Sequence, residues 1–301
     1  MVRQIAEIIP FYALLILLKL FSFEKRVIVG GLLLKWILPI VPKYRKRVIN
    51  NLRLVYPDKN CSQINEFISI NSEMIGRSFI ELMFNSEFQK RWDKIIYKKN
   101  ELQPIIEAKK RAKPIIVVSG HIGSWEAVRA VLKNNNLNSG ALYQENHNRF
   151  YEKLHLTAIK AGGEPIFQVS PSGTRNMISF IKNGGLIALM VDQAVKDGKY
   201  VNFLGKPAKT SISIANIALK YDAIIIPAYG IRREDNKIVR FYQNDMYPGG
   251  NSYYKEIGHS MSNELFADYE EGIWTVSFPM TTSGSYTVRS GYATGQVPKK
   301  G

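Results

Sequence analysis

From residue 115 onward the chain alternates short, branched apolar runs with amphipathic stretches, and that alternation limits the folds open to it. Residues 115–118, 186–191 and 224–227 are each bounded by Gly, Pro or charge, the pattern of strands buried on both faces. Residues 125–133, 175–182 and 211–220 have helical periodicity and fall between those runs. The alternation predicts an α/β domain, a largely parallel sheet flanked by helices on both faces. About 100 residues precede it and read as helical, a length compatible with the usual domain sizes. Within 64–84, Phe67, Ile68, Ile75, Phe79, Leu82 and Met83 can gather on one helix face. No internal repeat or low-complexity tract interrupts the chain.

The N-terminus carries a second signal. Residues 8–18 are nearly all apolar, the run resumes after Lys19 as far as Phe23, and residues 27–41 are broken only by Lys35. Each run falls short of the ~20 residues that cross a bilayer comfortably. The basic cluster Lys43, Arg45, Lys46 and Arg47 follows at once, as on the cytoplasmic side of a membrane. Residues 1–60 hold 11 Lys/Arg against 3 Asp/Glu, a net of +8 and half the +16 of the whole chain. The expectation is an N-terminal helical membrane-anchoring portion over residues 1–42, either one tilted span or two interfacial helices. A signal peptide is the main rival, against which Ser22-Phe23-Glu24-Lys25 is a poor cleavage site. A pair of buried core helices is the bland alternative. The charge alone would equally suit nucleic acid, but the chain has no nucleic-acid-binding signature.

Chemistry concentrates in residues 115–126, Ile-Ile-Val-Val-Ser-Gly-His-Ile-Gly-Ser-Trp-Glu. A buried strand leads to Ser119, Gly120 permits a sharp turn, and a helix begins near Ser124. Ligand and catalytic groups favour this place, beyond the carboxyl end of a strand in an open α/β sheet. His121 falls in the loop and Glu126 in the helix's first turn, where the helix dipole favours a carboxylate. Such a pair suits general-base catalysis on a hydroxyl, with Glu126 fixing the tautomer of His121. The bland alternative is a histidine satisfying a loop carbonyl and a glutamate capping helix amides. A single cysteine, Cys61, excludes an intramolecular disulfide and a cysteine metal cluster. Four histidines without H-E-x-x-H speak against zinc, and no G-x-S-x-G marks a serine nucleophile. No metal or cofactor is expected.

His121-x4-Glu126 resembles the HX4(D/E) box of the lysophospholipid-type acyltransferases, and its surroundings resemble the late, acyl-carrier-protein-dependent acyltransferases of lipid A biosynthesis. Asn51-Leu52 with Tyr56-Pro57, Tyr143, the segment from Arg175 to Ile178 with Lys182 and Gly184, Asp192-Gln193, the block from Val201 to Thr210, and Arg232 follow in that family's order. The resemblance covers residues 5–268. It implies an acyl carrier protein (or acyl-CoA) thioester as donor and a lipid A precursor hydroxyl as acceptor. His121 would be the base and Glu126 its orienting partner. Tyr143, Arg175, Asp192, Gln193, Lys206 and Arg232 would bind substrate, the basic ones through phosphates. It further implies a location on the cytoplasmic face of the bacterial inner membrane, and no nucleic-acid partner. Thr210 is expected to be an N-cap for the helix that follows.

Two departures stand out. Gln144 follows Tyr143 where the family usually has arginine, and residues 269–301 lack its aromatic, basic ending, so they are expected to form an atypical tail after an acyltransferase region at 43–268. Acylation of another membrane lipid, such as ornithine lipid or a glycolipid mannoside, is the runner-up. A basic peripheral protein without catalysis is the rival from another class.

Overall fold

A computed structural model describes residues 2–97, 99–193, 195, 198–203, 206–232, 239–243, 266–270, 273–280 and 284–291. The chain divides into two compact units, Met1–Trp92 with Glu145–Gly162, and Asp93–Gln144 with Gly163–Gly301.

The first unit is helical: α1 Val2–Leu18, α2 Phe23–Ile37, α3 Pro42–Val55, α4 Cys61–Met83 and α5 Asn85–Gln89, joined later by α8 Arg149–Ala161. An Asn60–Gln63 capping box starts α4, each side chain bonding the other's backbone N–H. Its buried face advances by fours through Ile64, Ile68, Ser72, Gly76 and Ile80. Of the residues expected on that face, Ile68 and Met83 are buried, but Phe67 is exposed. The small side chains at 72 and 76 leave the surface low, and α2 packs there. A carboxylate anchors the pair: Glu73 accepts from Lys35 of α2 at 3.0 Å and from Arg77 at 2.7 Å. Burial raises the Glu73 carboxyl, but these two cations outweigh it and hold it below the usual range.

The first two helices bury one face and leave the other apolar surface open. Leu18, Phe23 and Val27 are inside, whereas Leu20 is 80%, Trp36 76% and Ile40 77% exposed. No single helix is long and apolar enough to cross a membrane among the described residues. Phe23–Ile40 and Pro42–Val55 pass that test only as a pair, bent by 87°.

The second unit holds α6 Gln103–Lys110, β1 Ile115–Ser119, α7 Glu126–Asn134, β2 Gly140–Tyr143, β3 Ile166–Gln168, α9 Pro171–Lys182, β4 Leu186–Met190, β5 Lys199–Phe203, β6 Lys206–Thr210, α10 Ser213–Tyr221, β7 Ile224–Arg232 and β8 Val239–Gln243. Six strands form one sheet in the order β3-β2-β4-β1-β7-β8, parallel except for β8. This is the expected α/β fold with a largely parallel sheet. Ile116, Val118, Ile187, Leu189 and Ile225 pack with Met177 and Ile181 of α9 and Ala218 of α10. The alternate residues Ile115, Val117 and Ile226 are also fully buried, and α7 packs on that side of β7. Burial on both faces is why these strands read as continuous apolar runs.

Two local expectations need correction. β7 extends five residues past Pro227, because its far half is paired by β8, from Ala228↔Gln243 to Arg232↔Val239. Thr210 is the last residue of β6, paired with Lys199 in the β5–β6 hairpin, and its hydroxyl donates to the Ala208 carbonyl at 3.2 Å. It therefore does not cap α10, whose first amide, Ser213 N–H, donates instead to Ser211 Oγ at 3.4 Å. In the tail, β9 Phe266–Glu270, β10 Ile273–Met280 and β11 Gly284–Gly291 form a three-stranded antiparallel sheet. Tyr286 lies in β11, an edge strand of this sheet, where it pairs with Phe278.

Candidate active site

β1 ends in the sheet's middle, and the chain leaves its carboxyl end through Gly120, His121, Ile122, Gly123 and Ser124 before entering α7. Two glycines seat this loop on β7. Gly123, at φ +59°, bridges to Gly230, and Ser124 N–H donates to the Gly230 carbonyl at 2.7 Å. A methyl group built on Gly230 would overlap the Ser124 carbonyl oxygen, and one on Gly123 the Gly230 oxygen. Backbone cannot yield as a flexible side chain does. Gly230→Ala is therefore expected to cost about 1–3 kcal/mol, the usual range for overpacking, and to lower the melting temperature. An unchanged thermal melt would contradict this close seating.

His121 reaches across to the neighbouring strand. Val191 N–H donates to the Ser119 carbonyl at 3.0 Å, carrying the β1–β4 pairing one step further and bringing Asp192 beside the loop. One carboxylate oxygen of Asp192 accepts from the His121 backbone N–H at 2.7 Å, and the other lies 2.9 Å from His121 Nδ1. Gly120 makes this possible, since a side chain there would press on the carboxylate from about 3.2 Å. Burial pushes the Asp192 carboxyl up, but the hydrogen bonds from the His121 ring and backbone outweigh it and hold it below the usual carboxylate range. An ionised Asp192 claims the Nδ1 proton and leaves the lone pair on Nε2. Gln193 Nε2 stands 3.5 Å from that nitrogen, and Trp125 meets the ring edge-on, centroids 5.0 Å apart.

The expected pairing of His121 with Glu126 is not the one the structure makes. Both ring nitrogens face residues after β4. Glu126 is the first residue of α7 and only 5% exposed, and its Oε2 lies 3.7 Å from Arg129 Nη1, one turn along the same helix. Arg129 in turn donates to the Gly163 carbonyl at 2.8 Å. The helix's first turn points the carboxylate back along α7 into the protein, while the loop carries the imidazole outward. Asp192, expected in the cleft as a substrate contact, is the carboxylate that holds the ring.

Of the other expected site residues, two lie at strand ends of the six-stranded sheet and two do not. Tyr143 is half-buried at the carboxyl end of β2, and Arg232 is buried at the end of β7. Arg175 is exposed on α9 and makes no contact with the histidine cluster among the described residues, and Lys206 opens β6. Sequence reasoning missed the Gly123–Gly230 seat and Tyr229, which lies between Ala228 and Gly230 on β7. Burial and the nearby Asp192 charge push the Tyr229 phenol up to about 12. Gly230 had a readable signal, a glycine inside an apolar strand.

A partly exposed imidazole, held by a carboxylate and opening from the carboxyl edge of a parallel sheet, is a constellation suited to proton transfer with a bound group, as in enzymes that carry their site beyond the strand ends of an α/β sheet. The chain matches the family model for bacterial lipid A biosynthesis acyltransferases over residues 6–273, and it belongs to that family. It is an acyltransferase of lipid A and lipopolysaccharide biosynthesis. No curated protein sequence matches it.

Proposed function

We propose that the enzyme moves a fatty acyl chain from an acyl carrier protein thioester to a hydroxyl of a lipid A precursor, with His121 as general base. The observation that carries this reading is the two-point grip of Asp192 on His121, which favours the neutral tautomer with its proton on Nδ1 and its lone pair on Nε2. Nε2 takes the proton of the acceptor hydroxyl as its oxygen attacks the thioester carbonyl carbon. The tetrahedral oxyanion collapses, the C–S bond breaks, and the thiolate recovers the proton from the imidazolium. The ester and the free thiol leave, and no metal or redox step is needed. Gln193, beside Nε2, is suited to hold the acceptor hydroxyl. Glu126 supports the site indirectly, through Arg129 and the start of α7. Tyr143, Arg175, Lys206 and Arg232 complete the substrate contacts in this reading, the cations serving acceptor or phosphopantetheine phosphates.

The exposed apolar surface of α1, α2 and their flanking turns, with Leu20, Ile40 and Trp36 most open, supports attachment to a membrane surface. The basic residues Lys43, Arg45, Lys46 and Arg47 at the start of α3 suit anionic headgroups on its cytoplasmic side, where an acyl carrier protein is at hand. Glycolipids extracted from cells with and without the protein are the test. A mass gain of one acyl chain on the lipid A precursor is the expected result. The same gain on a different membrane lipid would keep the chemistry and replace the acceptor, and no gain on any lipid would sink the reading.

A further inference from the structure

The attacked thioester carbonyl develops a negative oxygen, and a site for this reaction needs a donor aimed at it. The loop around His121 has few to spare. The His121 amide is already committed to Asp192, and the Ser124 amide to the Gly230 carbonyl. A side chain is the better source.

Tyr229 is placed to supply it. Pro227 pairs with Val118 at the end of β1, and Gly230 bridges Gly123 in the loop, so Tyr229 lies alongside the segment that carries His121. It shares a sheet face with Ile225, the face that bears Val118 and, two residues on, Gly120. Asp192 lies over Gly120 on that same face, where a side chain added at Gly120 would meet its carboxylate from about 3.2 Å, so the phenol and the carboxylate that grips His121 share one side of the sheet. Among the described residues that carboxylate is hydrogen-bonded by the ring and the backbone N–H of His121, so the phenol does not spend its proton there. Tyr229 has no hydrogen-bond partner among the described residues, and it is partly open. Burial and the Asp192 charge keep it a neutral donor throughout the working pH range.

We propose that the Tyr229 phenol is the hydrogen-bond donor to the oxyanion formed at the thioester carbonyl during transfer. The inference rests on the acyl-transfer reading above. In the reaction, the phenolic O–H shortens its bond to the carbonyl oxygen as that atom gains charge, and it releases the oxygen when the C–S bond breaks. The phenol keeps its proton, and no covalent bond to Tyr229 forms.

The test uses the full-length protein in detergent micelles, with lauroyl-loaded acyl carrier protein as donor and purified lipid A precursor as acceptor. Tyr229→Phe removes only the hydroxyl. Its melting temperature should stay near that of the wild type, because that hydroxyl bonds nothing among the described residues. The turnover number should fall by ~10²–10³-fold with both KM values little changed, as for loss of one oxyanion donor. Slow hydrolysis of the same thioester without acceptor should fall in parallel, since water attack makes the same oxyanion. A turnover number within about threefold of the wild type overturns the proposal. So does a raised acceptor KM with unchanged turnover, which would put the phenol on the acceptor instead. If the wild type cleaves no thioester while its lipid substrates are present, the acyl-transfer reading itself falls, and this proposal with it.

Discussion

Alanine at position 121 is expected to lower acyl transfer by ~10²–10⁴-fold or more, the range a positioned general base contributes, while the protein stays folded. The basis is geometric. The imidazole is partly exposed at a loop tip, held by Asp192 and the edge of Trp125 and not embedded in the core. Truncation therefore removes the proton acceptor without opening a cavity beneath the sheet, whose buried residues end at Val118 on this strand. Circular dichroism and a melting curve close to the wild type, combined with lost thiol release from the acyl donor, are the expected pair of results. Near-normal turnover would remove His121 from the reaction, and with it the whole assignment of the loop.

This histidine was legible in the sequence because local signals converge on it. A branched apolar run, a glycine and a helix start lie within twelve residues, and a strand-to-helix turn at a sheet's carboxyl edge follows from them. The long central strands were legible for the same reason, since residues buried on both faces leave unbroken apolar runs. β2 and β3, of four and three residues, carry too little sequence to show any period. The hairpin of β5 and β6 was hidden by its polar and proline-containing composition, and the helix was consequently expected from Ser211 with Thr210 as its cap, ahead of its start at Ser213. The partner of His121 could not be found by spacing. Asp192 lies 71 residues away and meets the ring only because β4 is hydrogen-bonded to β1. A carboxylate five residues along was the nearer choice in sequence, but helical geometry turns it towards Arg129.

That difference between near and distant carboxylates gives the second large expected effect. Asp192→Asn keeps the shape but replaces an acceptor-only carboxylate with an amide that can donate to Nδ1. The ring then prefers the tautomer with its proton on Nε2, where the acceptor hydroxyl needs a lone pair. A comparable exchange costs up to ~10⁴-fold in the serine-protease triad, and a loss of ~10²–10⁴-fold in turnover is expected here. The structural cost should be modest, since both partners are partly exposed and solvent weakens their attraction. Linkage sets the sign of the remaining pH effect. Asp192 is held below its ordinary value, so whatever stability the pair contributes is present at neutral pH and is lost as pH falls through that lowered value. The Asn variant should therefore lose stability relative to wild type at neutral pH and converge with it in acid. Glu126→Gln should behave in the opposite proportion. It leaves Arg129 buried beside a neutral amide, and breaking a buried pair by neutralising one member costs up to about 3–5 kcal/mol, so its melting temperature should fall more than that of the Asn variant. Its turnover, measured on the fraction still folded, should exceed that of Asp192→Asn. If instead Glu126→Gln melts normally and loses turnover while Asp192→Asn keeps it, the orienting carboxylate is Glu126, and the pairing in the free enzyme is replaced when substrate binds.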